Sequence, residues 1–457
     1  MLSCENINFG YDDTILHNIS LSIAKGEKVA LLGANGSGKT TLSLILAGII
    51  HPRSGNILCD GISPLDESKI LDFRRRIGYV FQNPEDGFVA SDVVREIAFG
   101  AENFGIPADE IRKRVDELIK FFGLSEYATY SPLALSGGMK ARLAIVSALA
   151  TNANYIILDE PESFLDWRGK NLLINSLEKI EGNTGILHIT QSLEFAERCD
   201  KIFIIKDKRL RQISPDEIEP FKPAVSIEPK ISDRKVLGFD NVSFAYENRS
   251  ILKDVSFSIN RGEIVGVVGE SGAGKTTLAI CAAGLVDIPD GKISRDGRVS
   301  ILFQFPERQL FAESVLDDVM FGPKNLGWNN PDDIARDALE LARVPKNLWS
   351  RSPFDLSDGQ QRKVGIAGVL ATRPDILILD EPFASLDYDG MDNLFDILKE
   401  LAERRTTIII ITHRTDLLRY VAPRTIALEN GTLAFDGRTA ELLENKSLCE
   451  RIGVESI

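Results

Sequence analysis

Short apolar runs alternate along the chain with longer stretches whose apolar residues recur at helical spacing. VALLG, ending at Gly33, YIILD, at Asp159, IVGVVG, at Gly269, and ILILD, at Asp380, are continuously apolar up to their last residue. That is the pattern of strands covered on both faces. Between them lie segments such as DEIRKRVDELIKFFG, from Asp109 to Gly123, whose spacing predicts amphipathic helices. Strands alternating with helices predict an α/β core around a largely parallel sheet. The early segment, with short strands and turns, predicts a small antiparallel β subdomain beside it.

The pattern occurs twice. NINFGYDDTILHNISLSIAKGEKVALLGANGSGKTTL, from Asn6, returns as NVSFAYENRSILKDVSFSINRGEIVGVVGESGAGKTTL, from Asn241. LSGGMKARLAIVSALA, from Leu135, returns as LSDGQQRKVGIAGVLA, from Leu356, and Asp159 of YIILDEP is matched by Asp380 of ILILDEP. The second copy is the shorter one between its first motif and Gln304. Two copies of one domain account for the whole chain. Between them PDEIEPFKPAVSIEPKISDRK carries Pro215, Pro220, Pro223 and Pro229 without an apolar period, which predicts an extended linker. The expected division is a first domain over 1–215, a linker over 216–235 and a second domain over 236–457.

Composition narrows the setting. The chain has 457 residues, 44% hydrophobic and 26% charged, enough for two cores that need no metal or disulfide staples. Its net charge of −14 leaves no basic stripe for phosphate backbones, so no nucleic-acid partner is expected. The five cysteines, Cys4, Cys59, Cys199, Cys281 and Cys449, form no C-x-x-C pair, which argues against a zinc site and fits a reducing compartment. MLSCENINFGYDD has no basic-then-apolar leader, and no run of about 18 apolar residues is present to span a bilayer. Any membrane role is expected to be borrowed from a partner.

Candidate chemistry sits at the ends of the apolar runs. Gly33, Ala34, Asn35, Gly36, Ser37, Gly38, Lys39 and Thr40, followed by Thr41, satisfy G-x-x-x-x-G-K-[ST]. Gly269, Glu270, Ser271, Gly272, Ala273, Gly274, Lys275 and Thr276, followed by Thr277, satisfy it again. Each match follows a buried strand and opens a helix, the context in which glycines let backbone N–H groups curl around phosphate. The helix N-terminus adds a favourable dipole. Lys39 and Lys275 are expected on the β- and γ-phosphates of ATP, and Thr40 and Thr276 on Mg²⁺. Asp159 and Asp380 end apolar strands where a magnesium-holding carboxylate belongs, and Glu160 and Glu381 follow as bases for water.

At LSGGMK, from Leu135, and LSDGQQR, from Leu356, the chain resembles the ABC ATPase family over nearly its full length. The resemblance implies two P-loop NTPase domains, each a RecA-like, mostly parallel sheet with an antiparallel β subdomain and a helical subdomain. It also implies a head-to-tail sandwich in which each ATP lies between one half's phosphate loop and the other half's signature. By motif, Tyr11 and Tyr246 would stack on adenine, and Gln82 and Gln304 would sense the γ-phosphate and Mg²⁺. Ser136 and Ser357, with Gly138 and Gly359, would cap the γ-phosphate of the opposite site. Asp166 and Asp387 would sit in loops crossing between sites, and His413 matches the family's switch histidine. The first copy places Gln191 there, with His188 inside the preceding strand as a core or sheet residue.

These departures from the family pattern fall together. Site one would combine Lys39, Glu160 and Gln191 with a second-half signature carrying Asp358 in place of glycine, a carboxylate that would repel a γ-phosphate unless Mg²⁺ or its rotamer shields it. Site two would combine Lys275, Glu381 and His413 with Ser136, Gly137 and Gly138. Unequal sites are expected, site two being the main hydrolytic one. The alternative is that Asp358 points to solvent and Gln191 substitutes adequately.

FQNPEDGFVASDVVREIAFGAENFGIP, from Phe81, and FQFPERQLFAESVLDDVMFGPKNLG, from Phe303, look like the ATPases of energy-coupling-factor importers for vitamins and transition metals. The resemblance implies a membrane-embedded coupling protein and a substrate-binding membrane subunit as partners. It places the chain on the cytoplasmic face of the membrane, touching the bilayer only through those partners. Phe88, Val89, Leu310 and Phe311 would anchor a partner helix or else pack beneath the loop. A soluble paired-cassette protein acting on ribosomes or DNA, and a sugar-importer subunit, are the alternatives.

Overall fold

The computed structural model describes residues 1–10, 13–163, 165–180, 182–218, 221–223, 226–247, 249–384 and 386–456. Tyr11 and the side chain of Asp358 lie outside the described residues. The chain divides into two compact units, Met1–Phe221 and Lys222–Ile457.

In the first unit β1 (Leu2–Gly10), β2 (Thr14–Ile23) and, after β3 (Lys28–Gly33), β4 (Ser54–Cys59) form an antiparallel sheet in the order β2-β1-β4. The larger sheet adds β5 (Ile77–Val80), β6 (Tyr155–Asp159), β7 (Gly185–Ile189), β8 (Lys201–Lys206) and β9 (Arg209–Ile213) in the order β5-β6-β7-β3-β8-β9. All its pairs are parallel except β8 with β9. Every residue of β6 and β7 is buried, as their unbroken apolar runs require for strands covered on both faces.

The second unit repeats this plan. β10 (Lys235–Tyr246) and β11 (Arg249–Asn260), with β13 (Asp290–Arg295) beyond β12 (Ile264–Val268), form the sheet β11-β10-β13. β14 (Val299–Leu302), β15 (Ile376–Asp380), β16 (Thr407–Ile411), β17 (Arg424–Glu429) and β18 (Thr432–Arg438) complete the order β14-β15-β16-β12-β17-β18. Each unit is therefore an α/β body with a mostly parallel sheet and an antiparallel β layer.

A helical layer packs beside each large sheet: Val93–Asn103, Ala108–Phe121 and Gly137–Ala150 in the first unit, and Val315–Asn325, Pro331–Leu341 and Asp358–Ala371 in the second. Ala108–Phe121 buries Ile111, Val115 and Ile119 at four-residue steps, each worth about 2 kcal/mol against exposure. No helix or strand occurs among the described residues between the turn Pro215–Glu217 and β10. Ile227 in that stretch is buried, and its N–H donates to the Tyr420 carbonyl at 2.7 Å. No helix among the described residues is long and apolar enough to cross a membrane.

Candidate active sites in the two units

The phosphate loops sit where β3 and β12 end at the middle of their sheets. Gly33 and Gly269 adopt φ of 150° and 144°. A Cβ there would come within 2.8 Å of the Ile205 carbonyl oxygen and 2.4 Å of the Leu428 carbonyl oxygen, respectively. Gly38 and Gly274, at φ of 99° and 101°, are the left-handed residues before the helices Lys39–Leu46 and Lys275–Ala283. Only glycine satisfies both the conformation and the contact. Lys39 and Lys275 are buried and folded back over their loops. Lys39 Nζ donates to the Gly33 and Ala34 carbonyls at 2.8 and 3.2 Å, and Lys275 Nζ to those of Gly269 and Glu270 at 2.7 and 3.0 Å. Each loop thus presents an ammonium and a helix N-terminus at one point, an arrangement suited to phosphate. Asn35, Gly36 and Ser37 lie within the first loop and Ser271, Gly272 and Ala273 within the second, while Thr40, Thr41, Thr276 and Thr277 occupy first helical turns. Among the described residues Ser37 Oγ is buried without a hydrogen-bond partner.

Hydroxyl and carboxylate oxygens meet beside each loop. Thr276 Oγ1 donates to Asp380 Oδ2 at 2.7 Å, and the Thr40 hydroxyl bonds Asp159. Hard oxygen donors next to a phosphate loop fit Mg²⁺, which takes one or two protein oxygens and completes its shell with phosphate and water. Burial raises both carboxyls above their usual range, and the threonine hydroxyls oppose it. In the first unit Tyr79 also donates to Asp159 Oδ2 at 3.1 Å and bonds Ser43 at 2.9 Å. Ile301 and Ala279 stand at the corresponding places in the second. Gln82 and Gln304 follow β5 and β14, half-buried.

Glu160 and Glu381 are the next residues and the most constrained. Both are buried in the left-handed region, at φ of 43° and 50°, a conformation that costs a non-glycine residue and that surrounding contacts must enforce. Their N–H groups donate to Ile189 and Ile411 carbonyls at 3.0 and 2.8 Å. Their carboxylates are held differently. Glu381 Oε2 accepts from Thr412 Oγ1 and from the His413 N–H, each at 3.2 Å. Glu381 Oε1 is buried and has no hydrogen-bond partner among the described residues; His413 Nε2 lies 3.4 Å from it. Burial pushes this carboxyl up to about 7, near where a general base works best. A divalent cation on Asp380 would draw it down again. In the first unit Glu160 Oε1 accepts from Gln191 Nε2 at 3.1 Å and lies 3.6 Å from Lys39 Nζ, and Oε2 accepts from Ser163 at 3.2 Å. Gln191 also donates to Asn35 at 2.9 Å.

Three further residues, Glu162, Thr190 and Arg362, had no readable signal in the sequence. His188, inside β7 and buried as expected, bonds a buried carboxylate, Glu162, at 2.9 Å from Nε2 to Oε2. Thr190 donates to the other oxygen of Glu162. Burial pushes the Glu162 carboxyl up, but His188 and Thr190 outweigh it and hold the group below the usual range. In the second unit Arg362, on the helix after Ser357, is buried and donates to the Ala384 and Glu381 carbonyls at 2.9 and 2.6 Å. Ala141 occupies that place in the first unit.

The signature serines open helices: Ser136 precedes Gly137–Ala150, and Ser357 precedes Asp358–Ala371, its N–H donating to Gln360 Oε1 at 3.1 Å. Gly138 and Gly359 lie in the first turns. Asp166 and Asp387 cap helices locally, accepting from the Gly169 and Gly390 N–H groups at 2.7 and 2.8 Å. Tyr246 ends β10 with an exposed ring, edge-on to Phe244 at 4.9 Å.

The loops after the glutamines are pinned from below. Buried Glu96 accepts from the Val89 and Ala90 N–H groups at 2.9 and 2.8 Å, and Asp318 accepts from Phe311 and Ala312 at 2.8 and 2.9 Å. Phe88 packs on the helical core and Leu310 is buried, whereas Val89 is 62% and Phe311 56% exposed. Asp318→Ala removes the acceptor for two N–H groups, a loss of about 2–3 kcal/mol. A melting temperature lower by roughly 4–12 °C is expected in a thermal scan; an unchanged value would mean that the loop is held by other contacts.

A family profile described as "ABC transporter" matches residues 16–163 and 252–384. A Treponema denticola protein designated as an ABC transporter ATP-binding protein is 32% identical, the alignment covering 95% of this chain and 96% of that one. A Bifidobacterium longum protein of the same designation is 31% identical over 93% of this chain, which spans 64% of its length. Among solved structures, a chain from the model of ribosome-bound archaeal Pelota and ABCE1 superposes with a TM-score of 0.71, covering 95% of this chain and 79% of that one at 21% identity. The last likeness is one of fold alone. With two phosphate loops, two buried glutamates and two signature helices in one polypeptide, the chain belongs to the ABC transporter ATP-binding family as a tandem-cassette ATPase.

Proposed function

We propose that the chain is the ATP-driven motor of a membrane importer of the energy-coupling-factor type, taking up a vitamin or a transition metal. Its cassettes cover 1–215 and 236–457, joined by the linker 216–235, and close on two ATP molecules in a head-to-tail sandwich. Site one takes Lys39, Glu160 and Gln191 from the first half and Ser357 with Gly359 from the second. Site two takes Lys275, Glu381 and His413 from the second and Ser136 with Gly138 from the first. Tyr11 and Tyr246 stack on the adenines.

Site two is the main hydrolytic site. Glu381 receives a proton from the attacking water at its unbonded oxygen while His413 orients that water and the γ-phosphate. Lys275 and the loop amides offset the charge that builds on the phosphate oxygens. Mg²⁺, held by Thr276, Asp380 and Gln304 there and by Thr40, Asp159 and Gln82 in site one, supplies further charge neutralisation when bound. Glu160 has both oxygens engaged and turns over more slowly.

The observation that carries the transport reading is the exposed apolar pair, Val89 and Phe311, held outward by Glu96 and Asp318 a few residues beyond Gln82 and Gln304. A loop that follows the glutamine assigned to the γ-phosphate would pass nucleotide-driven closure to the helix that sits on it. The partners are a membrane-embedded coupling protein and a substrate-binding membrane subunit, which place the chain at the cytoplasmic face of the membrane. Purified in mild detergent from its own cells, the tagged chain is expected to bring down polytopic membrane proteins. Val89→Asp with Phe311→Asp is expected to lose them while still binding ATP. Cosedimentation with ribosomes, and no membrane protein recovered, would overturn the importer reading in favour of a soluble paired cassette.

A further inference from the structure

The two units give corresponding threonines different partners. Thr190 and Thr412 each follow the last residue of the strand beside the phosphate-loop strand, paired at Leu31 with Ile189 and at Val267 with Ile411. Each accepts an N–H two residues on, Ser192 at 2.9 Å and Arg414 at 3.0 Å, so the backbone around them is the same. Only the hydroxyl proton goes elsewhere. Thr412 donates to the base Glu381 at 3.2 Å. Thr190 donates to Glu162 instead, and Glu162 is held from its other side by His188 at 2.9 Å. The residues at the places of Glu162 and His188 in the second unit are Phe383 and Ile410, both buried and unable to accept a hydroxyl.

We propose that Glu162, braced by His188, is a positioning residue that withholds the Thr190 hydroxyl from Glu160 and thereby makes site one the slow site. A buried carboxylate must be satisfied, and two donors close at hand satisfy this one. The Thr190 hydroxyl has one proton, so what Glu162 receives Glu160 loses. Glu160 turns to Gln191 and Ser163, which donate to one oxygen each, with Lys39 Nζ 3.6 Å from the first. The corresponding Glu381 is held through one oxygen by Thr412 and the His413 N–H; its other oxygen carries no hydrogen bond among the described residues and has His413 Nε2 3.4 Å away. The difference is one of aim: a base held through one oxygen can take a proton at the other.

This rests on the unequal-site reading, and the test separates the two. Turnover by Glu160→Gln and Glu381→Gln chains, compared with the unaltered chain, reports whether the sites are unequal. Glu162→Phe with His188→Ile, added to the Glu381→Gln chain, reports whether Glu162 is the cause. The expected result is a rise of about tenfold in kcat over the Glu381→Gln parent at unchanged KM, the scale of one hydrogen bond to a charged group. Adding Thr190→Val to that triple variant is expected to cancel the rise. A folded triple variant with the parent's kcat, or a rise that survives Thr190→Val, would overturn the proposal. Should the core exchange not fold, Thr412→Val in the unaltered chain and Thr190→Val in the Glu381→Gln chain decide it. Several-fold loss of kcat in the first alone supports it, and equal losses in both overturn it.

Discussion

Glu381→Gln is expected to lower steady-state ATP turnover by roughly 10²–10⁴-fold, the contribution of a positioned general base. Glu160→Gln is expected to leave most of the turnover in place. The substitution keeps shape and removes the basic oxygen, so ATP binding survives in both and only the chemical step is read. The asymmetry follows from the surroundings of the carboxylates. Burial raises both carboxyls, but Glu381 has one oxygen without a hydrogen bond among the described residues, with His413 Nε2 3.4 Å from it. Glu160 shares its position and backbone strain but is tied to Gln191 and Ser163, with the Lys39 ammonium 3.6 Å away. Steady-state rates of the two purified variants at saturating Mg²⁺ and ATP settle the matter; equal losses would refute the inequality of the sites.

Lys275→Ala is expected to weaken nucleotide binding at the second unit's loop by roughly 10–100-fold, the value of one or more charge-assisted hydrogen bonds to phosphate. Removal of the side chain also frees the Gly269 and Glu270 carbonyls that Nζ now bridges at 2.7 and 3.0 Å, so the loop loses its internal tie. Titration with a fluorescent ATP analogue is expected to show one site weakened and the other, at Lys39, intact. With site two the main hydrolytic site, turnover falls with it. A single undisturbed two-site isotherm would show that Lys275 does not reach the phosphates.

The loop that carries Lys275 was legible because its residues are contiguous. A strand, a glycine-rich turn and a helix start must follow one another in sequence to cradle phosphate, and the φ of 144° at Gly269 and 101° at Gly274 is the conformation that makes those glycines obligatory. The repeat, the α/β class and the buried strands were legible for a similar reason: the periodicity of burial is written along the chain. Which apolar residue of each loop faces out was not. Phe88 with Val89 and Leu310 with Phe311 are neighbours of similar character, and only the carboxylates of Glu96 and Asp318 beneath the loops decide that the second of each pair is the exposed one.

The pair of cassettes and the places of their glycine-rich loops, buried glutamates and signature helices can be read along the chain, because each is set by adjacent residues. How each glutamate is held emerges only when distant segments fold together. Glu162 meets His188 and Thr190 across 26 and 28 residues, and Tyr79 reaches Asp159 across 80. Such partners come together only when separate strands enter one sheet, and a hydrogen bond depends on distance and direction, which spacing along a chain does not encode.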